Sequence, residues 1–399
     1  MAFLSKNRFW FLAFFLLFVV RCQISFFEYL SFKNHKFLNV EARVINQYKK
    51  EGKNYQILKL KNNSLTFYTT SRENLKNLLN ERVKLTIITS KVSFFEYLFT
   101  FYAPSFNIKL LSADKIDLFI EKQHSSSVMK NLFKALFLGE SIDFSTRQKL
   151  SSLGVSHLFA LSGLHLGFIS FVLYFVFSPL YKIFQKKFPY RNRFFDLGIL
   201  VLAVEFVYLY FTSFPASLIR AYVLEVLIFI FAMRFKELFS LNILFFTILF
   251  SFLIFFSKIF SIGFLLSFLG VFYIYLFFKH VKFSFFSSVF LSFYMFLVMF
   301  VWSHYFFGNF NYFQFLSPLV NIIFSFFYPL EIFLHLIGFG GVFDDFILKY
   351  LSLGSEFYEV KISFVWVVIF GIMSLLAFFS KYLFYGINLL AFFIVILAI

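Results

Sequence analysis

The sequence predicts a polytopic α-helical membrane protein of about nine or ten spans with an N-terminal β-barrel domain. Three observations predict it. Sixty per cent of the 399 residues are hydrophobic and 75 are Phe, more apolar surface than a water-soluble core encloses. Uninterrupted apolar runs of about 17 to 25 residues recur, the length that crosses a hydrocarbon core. Between about residues 25 and 120 these runs stop, and short β-prone segments alternate with Lys/Asn/Gly turns.

Charge and cysteine content narrow the class further. The formal net charge is +17. Part of it is topological, since Lys and Arg collect in cytoplasmic loops, and the remainder favours a polyanionic partner, nucleic acid or anionic lipid. The many phenylalanines are a composition bias of the membrane segments and do not by themselves argue for base stacking. A single cysteine, Cys22, excludes an internal disulfide framework and a Cys-based zinc site. Arg21 before it is wrong for the small-residue cleavage site of a lipoprotein signal.

In chain order, residues 1–24 read as an uncleaved anchor, with Lys6 and Arg8 holding the N-terminus in the cytoplasm ahead of Phe9–Val20. Residues 25–120 read as a periplasmic domain. FLNVEARVINQY, NYQILKLKNN, SLTFYTT and ERVKLTIITSKV are its strands and ENLKNLLN a short helix, a pattern that fits an OB-like barrel. Residues 21–130 hold 18 basic and 9 acidic side chains. That excess is either an attractor for nucleic acid or an ordinary lysine bias on a soluble domain. Residues 121–157 read as amphipathic helices along the membrane surface. Asp143 or Ser145 caps the second of them, and Gln148 is placed for a capping box.

From 158 to 399 the chain reads as a multi-span domain. Spans are expected near 158–180, 194–214, 216–233, 241–257, 259–279, 284–307, 312–337, 362–379 and 382–398. Basic residues fall in alternate loops: Lys182, Lys186, Lys187, Arg191 and Arg193, then Arg234 and Lys236, then Lys279 and Lys282. TSFPAS and GNFNYFQ, on the other side, carry no lysine. This places the β domain outside and the basic loops in the cytoplasm. Pro318 and Pro329 interrupt 312–337, as in broken or re-entrant helices that line a path. The pattern leaves open whether that segment crosses.

The most unusual stretch is Gly154–Gly167, GVSHLFALSGLHLG, polar and glycine-rich where lipid accepts only large apolar residues. At about 100° per residue, Ser156, Ala160, Gly163, Gly167 and Ser170 share one stripe, with Gly163 and Gly167 spaced for close helix packing. His157, Ser162 and His165 spread over another face. They form the polar wall of a path, or interhelical bonds that hold the bundle. Metal binding needs a third ligand that no nearby carboxylate supplies. Elsewhere, Arg220 follows Pro215 near the outer end of its span, while Glu205 and Glu225 lie deeper and call for an arginine partner. Glu331 and His335 are spaced as a local i,i+4 pair.

LGVSHLFALSGLHLGFIS resembles a segment of the ComEC-type competence proteins, inner-membrane channels for transforming DNA. The matching residues are Gly154, Ser156, His157, Leu158, Ala160, Ser162, Gly163, Leu164, His165 and Gly167. In order around them, ALFLGE (135–140), Ser217 with Arg220 and Ala221, Asn242–Ile243–Leu244, IGFLLSFLGV (262–271), PLVNII (318–323) and Pro329–Leu330 are similar to further family segments. An N-terminal OB-like domain is also similar to the family. Leu265 departs from a common family Gln. No H-x-H-x-D-H occurs, so the nuclease activity of members with a metallo-β-lactamase-like domain does not carry over, and degradation of the second strand falls to another protein.

The resemblance implies translocation of single-stranded DNA across the bacterial inner membrane in natural transformation, by a channel that is not an enzyme and uses no cofactor or metal. It implies a periplasmic DNA receptor and a cytoplasmic helicase or single-strand-binding proteins as partners, and allows a homo-oligomer. No G-x-x-x-x-G-K-[ST] occurs, so energy comes from a partner. The residues expected to line the path or pack it are Ser156, His157, Ser162, Gly163, His165, Gly167, Glu205, Arg220, Glu225 and Asn321. Two other readings remain: a small-molecule or lipid transporter, from the interrupted helices, and an intramembrane serine hydrolase with Ser162 as nucleophile and His304 or His335 as base.

Overall fold

The first apolar run continues past the expected anchor because its last turns have a second apolar surface to bury. In the computed structural model, which describes residues 8–49, 55–62, 65–71, 77–112, 114–232, 241–254 and 261–398, this run is one helix, α1 (Arg8–Asn34). Its C-terminal turns place Tyr29 and Phe32 in the core of the β domain, and Tyr29 Oη donates to the Val92 carbonyl at 3.0 Å. Further back, Phe18 stacks on Phe252 of the helical region at 5.5 Å. One helix therefore ties both halves of the chain.

Six strands form one sheet: β1 (Phe37–Lys49), β2 (Gln56–Lys61), β3 (Thr66–Ser71), β4 (Arg82–Ile88), β5 (Phe101–Tyr102) and β6 (Ser105–Leu110), in the order β5-β3-β2-β1-β4-β6. Alternation does the sorting. Val40, Ala42 and Val44 of β1, Leu58 and Leu60 of β2 and Val83, Leu85 and Ile87 of β4 point into the core, while Glu41 and Lys84 between them point out and pair across the strands at 3.5 Å. β5 pairs in parallel with β3, and β6 antiparallel with β4. Among the described residues the ladders form an open sheet and do not close into a barrel. A capping box, Ser93 with Glu96, starts the short helix α2 (Phe94–Leu98). Most of the expected ENLKNLLN helix lies outside the described residues, and its described end is a turn.

Four short helices follow: α3 (Lys115–Glu121), α4 (Ser127–Leu138), α5 (Phe144–Ser152) and α6 (Ser156–Phe159). An ionic cluster joins them to the sheet. Arg43 of β1 contacts Asp117 at 3.2 Å and Asp114 at 3.6 Å, and also pairs with Glu140. Lys134 of α4 holds Glu121 at 2.6 Å. Burial pushes the Asp117 carboxyl up, with Arg43 pulling it the other way. ALFLGE thus acts as a joint: Gly139 ends α4 in the left-handed conformation, at φ 72°, and Glu140 is the buried anchor. Instead of standing free along a surface, α4 buries Met129, Leu132, Phe133, Ala135 and Leu136. Asp143 caps α5, accepting from the Thr146 amide at 2.9 Å. Thr146 occupies the third helical position, so Gln148 forms no capping box.

The helical region then runs α7 (Gly163–Lys187), α8 (Arg193–Phe211), α9 (Ala216–Ala232), α10 (Leu241–Ile254), α11 (Ile262–His280), α12 (Phe285–Phe306), α13 (Ser317–Leu336), α14 (Asp344–Leu353), α15 (Phe364–Ala377) and α16 (Lys381–Ala398). Within the described residues a helix underlies each expected span, the first of them only from Gly163 on. Seven helices among the described residues are long and apolar enough to cross a membrane, and α15 and the described part of α10 are shorter apolar helices. Arg234 and Lys236 of the second basic loop lie outside the described residues.

Neither proline breaks the tail segment. A 3₁₀ turn, Tyr312–Leu316, leads into α13, with Pro318 in its first turn and Pro329 inside it. Leu319, Ile323, Phe326, Leu330 and Phe333 form an exposed apolar stripe, the pattern of a face turned to lipid. The opposite face buries Phe324, Tyr328, Glu331 and His335 against the 121–157 segment. A two-stranded ladder of β7 (Asn309–Phe310) with β8 (Tyr358–Glu359) fixes the far side of α14 to the end of α12.

Candidate functional site

The site is built by a break in the Gly154–Gly167 stretch. Instead of one continuous helix, α6 ends at Phe159 and α7 begins at Gly163. Ser217 Oγ takes the Leu161 carbonyl at 2.5 Å, an acceptor that a continuing helix would have used. Ser162 then caps α7: its side chain accepts from the Leu164 amide, and its own amide donates to His165 Nδ1 at 3.1 Å. The imidazole thereby fills the place of the glutamate in a capping box. The single stripe expected from Ser156 to Ser170 does not exist, because residues 160–162 are not helical.

His165 is fully buried, edge-on to Tyr328 of α13 at 4.6 Å, and its Nε2 has no protein partner. Ser162 Oγ lies 3.2 Å from His165 Nδ1, as the cap requires. Gly163 and Gly167 have different roles. A Cβ at Gly163 would stand 3.4 Å from Ala221 Cβ and 3.9 Å from Arg220 Nη2, so here the helices are close. A Cβ at Gly167 would meet nothing within 4 Å. The glycine pair therefore packs at one end and opens at the other.

That opening is a cavity of about 370 Å³ between α7 and α13, lined by Gly163, Leu164, Gly167, Phe168, Ser325 and Tyr328. At the opposite end of α7 a second recess of about 440 Å³ includes Gln185, Arg191 and Arg193. Beside the first cavity, Arg220 of α9 is 5% exposed and its Nε has no hydrogen-bond partner. No carboxylate among the described residues pairs with it; Tyr275 is its electrostatic neighbour. A guanidinium buried without a counter-charge costs several kcal/mol, roughly, by desolvation alone.

On the other flank of α6, His157 stands beside Asn321 of α13. Burial holds the His157 imidazole below its ordinary range, while the Asn321 side chain and the Gly154 backbone pull the other way. Yet the residue is exposed at the surface. Both observations fit a group deep in the protein that opens onto a cleft. Ser156 Oγ, close by, is buried and unpartnered. Gly154, at φ +73°, supplies the turn, and Gln314 fills the space where its Cβ would stand.

Glu205 and Glu225 belong to a separate site one face away. The arginine expected for them is replaced by a hydroxyl: Ser170 Oγ lies 2.6 Å from an oxygen of each carboxyl group. The second oxygen of Glu205 is buried and unpartnered. One feature of the region escaped sequence reasoning. Glu331 and His335 do contact each other at 3.3 Å, but they belong to a larger buried cluster with His124 and Asp344, residues whose distance in sequence hides the relation. No group of three or more His, Cys, Asp or Glu residues suited to a metal ion occurs among the described residues.

A family model described as Competence protein matches residues 136–399, more than half of the chain. No curated protein and no solved structure matches the chain.

Proposed function

The chain belongs to the competence protein family, and from that premise we propose that it carries single-stranded DNA across the bacterial inner membrane during natural transformation. The observation that carries this reading is the cavity between α7 and α13, which opens at Gly167 and has Arg220, without a carboxylate partner among the described residues, beside Gly163. A polyanion needs a wetted path with few cations, since conduction requires release as well as binding. One buried arginine, the amide of Asn321, His157 and serine hydroxyls supply that better than a lysine-lined tunnel. The recess at the other end of α7, where Arg193 lies beside the Arg191–Asp196 pair, would serve as the exit.

The β domain is read as periplasmic and OB-like. Support comes from residues 101–110, which pair with β3 at one end and β4 at the other, only two residues apart. Tyr102 and Phe106 are exposed on this segment, and exposed aromatics beside lysines suit stacking of single-stranded bases. The basic loops then face the cytoplasm, where a helicase or single-strand-binding protein would supply the energy, and a periplasmic receptor would deliver the strand. The protein acts as a channel and catalyses no covalent step.

A cavity of this volume also suits a small molecule, so a small-molecule or lipid transporter is the second reading. A strain deleted for the gene separates the two. It should bind and take up labelled duplex DNA to the periplasm as wild type does, yet yield no transformants and no cytoplasmic label. Wild-type transformation in that strain would overturn the proposal.

A further inference from the structure

Two imidazoles 211 residues apart meet where α3 and α4 pack on α13 and α14: His124 Nε2 lies 3.1 Å from His335 Nε2. Each outer nitrogen faces an acceptor. His124 Nδ1 is 2.8 Å from Asp344 Oδ1. His335 Nδ1 is 2.8 Å from the Glu331 carbonyl and 3.3 Å from its carboxylate. All four side chains are buried. The rings are also held in place. Phe133 stacks on His124 at 4.4 Å, and Phe137 meets His335 edge-on at 4.8 Å. Gly340 leaves no slack, since a Cβ there would stand 2.6 Å from the His335 ring. Gln123 clamps the pair by donating to the His335 carbonyl at 3.2 Å and accepting from the Gly340 amide at 2.9 Å.

Counting hydrogens shows what this geometry demands. Two outer contacts and one inner contact need three hydrogens, whereas two neutral imidazoles carry two. The third is held either as an imidazolium or by the Asp344 carboxyl. Without it, two nitrogen lone pairs face each other at 3.1 Å. With a fourth, two N–H groups collide. The contact belongs to one protonation state only.

We propose that His124 and His335 form a buried proton-binding site, which docks α3–α4 onto α13–α14 while it holds one shared proton and releases them when a second proton arrives. The charged groups around the site are Asp344 from α14 and Glu331 from α13. From α3 and α4 come Glu121 and Lys134, which neutralise each other at 2.6 Å. Burial lowers the His124 imidazole below its ordinary range, with Asp344 and Glu331 raising it and His335 lowering it further. A docked pair whose imidazole is lowered in this way, and which has room for only one extra hydrogen, takes up fewer protons than the two separated rings. Docking is therefore tight towards neutral pH and loosens on the acid side.

The test uses the full-length protein in lipid nanodiscs. Amide hydrogen exchange of residues 127–138 and 344–353, corrected for the intrinsic rate, should lose about tenfold protection as pH falls through roughly 8 to 5, the range in which imidazoles titrate. His124→Gln and His335→Gln, which keep a donor but cannot titrate, should make that protection independent of pH. Wild-type protection that does not change with pH, or an unchanged profile in both variants, would overturn the proposal. Should the variants fail to fold, wild-type protein labelled with ¹⁵N-histidine decides. A single coupled titration of the two rings supports the site, and two independent titrations, or none, refute it.

Discussion

Gly167→Leu should abolish DNA internalisation while leaving a folded, membrane-inserted protein. Its neighbours allow the substitution, since a Cβ at Gly167 would meet no atom within 4 Å. The helix gains from it, because glycine inside a helix costs about 0.5–1 kcal/mol relative to residues such as Ala or Leu. What the leucine fills is the cavity of about 370 Å³ that Gly167 lines with Ser325 and Tyr328. Thermal unfolding in detergent should therefore be unchanged or slightly raised, and cytoplasmic label should fall to the level of the deletion strain. Gly167→Ala, adding one carbon, should fall between. A Gly167→Leu protein that transforms normally would show that the strand does not use this opening.

Arg220→Gln is the second large effect, and it should again separate function from stability. Arg220 is buried with its Nε unpartnered, and among the described residues no carboxylate pairs with it to be orphaned when the charge is removed. Replacing an uncompensated buried cation by a neutral amide should stabilise the protein by about 1 kcal/mol or more. If Arg220 meets a phosphate in transit, losing that charge-assisted contact of about 1.5–3 kcal/mol lowers transport roughly 10- to 100-fold. Arg220→Lys keeps a point charge without the planar fork and should recover part of the loss. Purified protein gives the stability, and counts of transformants give the transport. A destabilised but fully active Arg220→Gln protein would assign the arginine to the scaffold.

The spans could be read from the sequence because apolar length is a local property. The run expected at 194–214 is α8 (Arg193–Phe211), and that at 382–398 is α16 (Lys381–Ala398), both long and apolar enough to cross. The ordered motifs around Gly154–Gly167 were equally legible as a family signature. The helix break at 160–162 was not, because it depends on Ser217 reaching the Leu161 carbonyl from 56 residues away. The G-x-x-x-G spacing gave the right pair of glycines but one use for both, whereas Gly163 packs and Gly167 opens. Likewise the buried glutamates pointed to a partner of opposite charge. Ser170 lies 35 and 55 residues away on another helix, and spacing alone could not show that it reaches both of them. His335 looked like half of a local pair, since nothing in the sequence links it to His124.

Photo-crosslinking of a strand in transit tests the central claim most directly. A photoreactive residue at Ser325 would face the cavity, and one at the adjacent Phe326, 76% exposed on the apolar stripe of the same helix, would face outward at nearly the same depth. In cells arrested during uptake of labelled DNA, the account predicts protein–DNA adducts from position 325 and none from position 326. Adducts of equal yield at both positions, or none at 325 during active uptake, would contradict it.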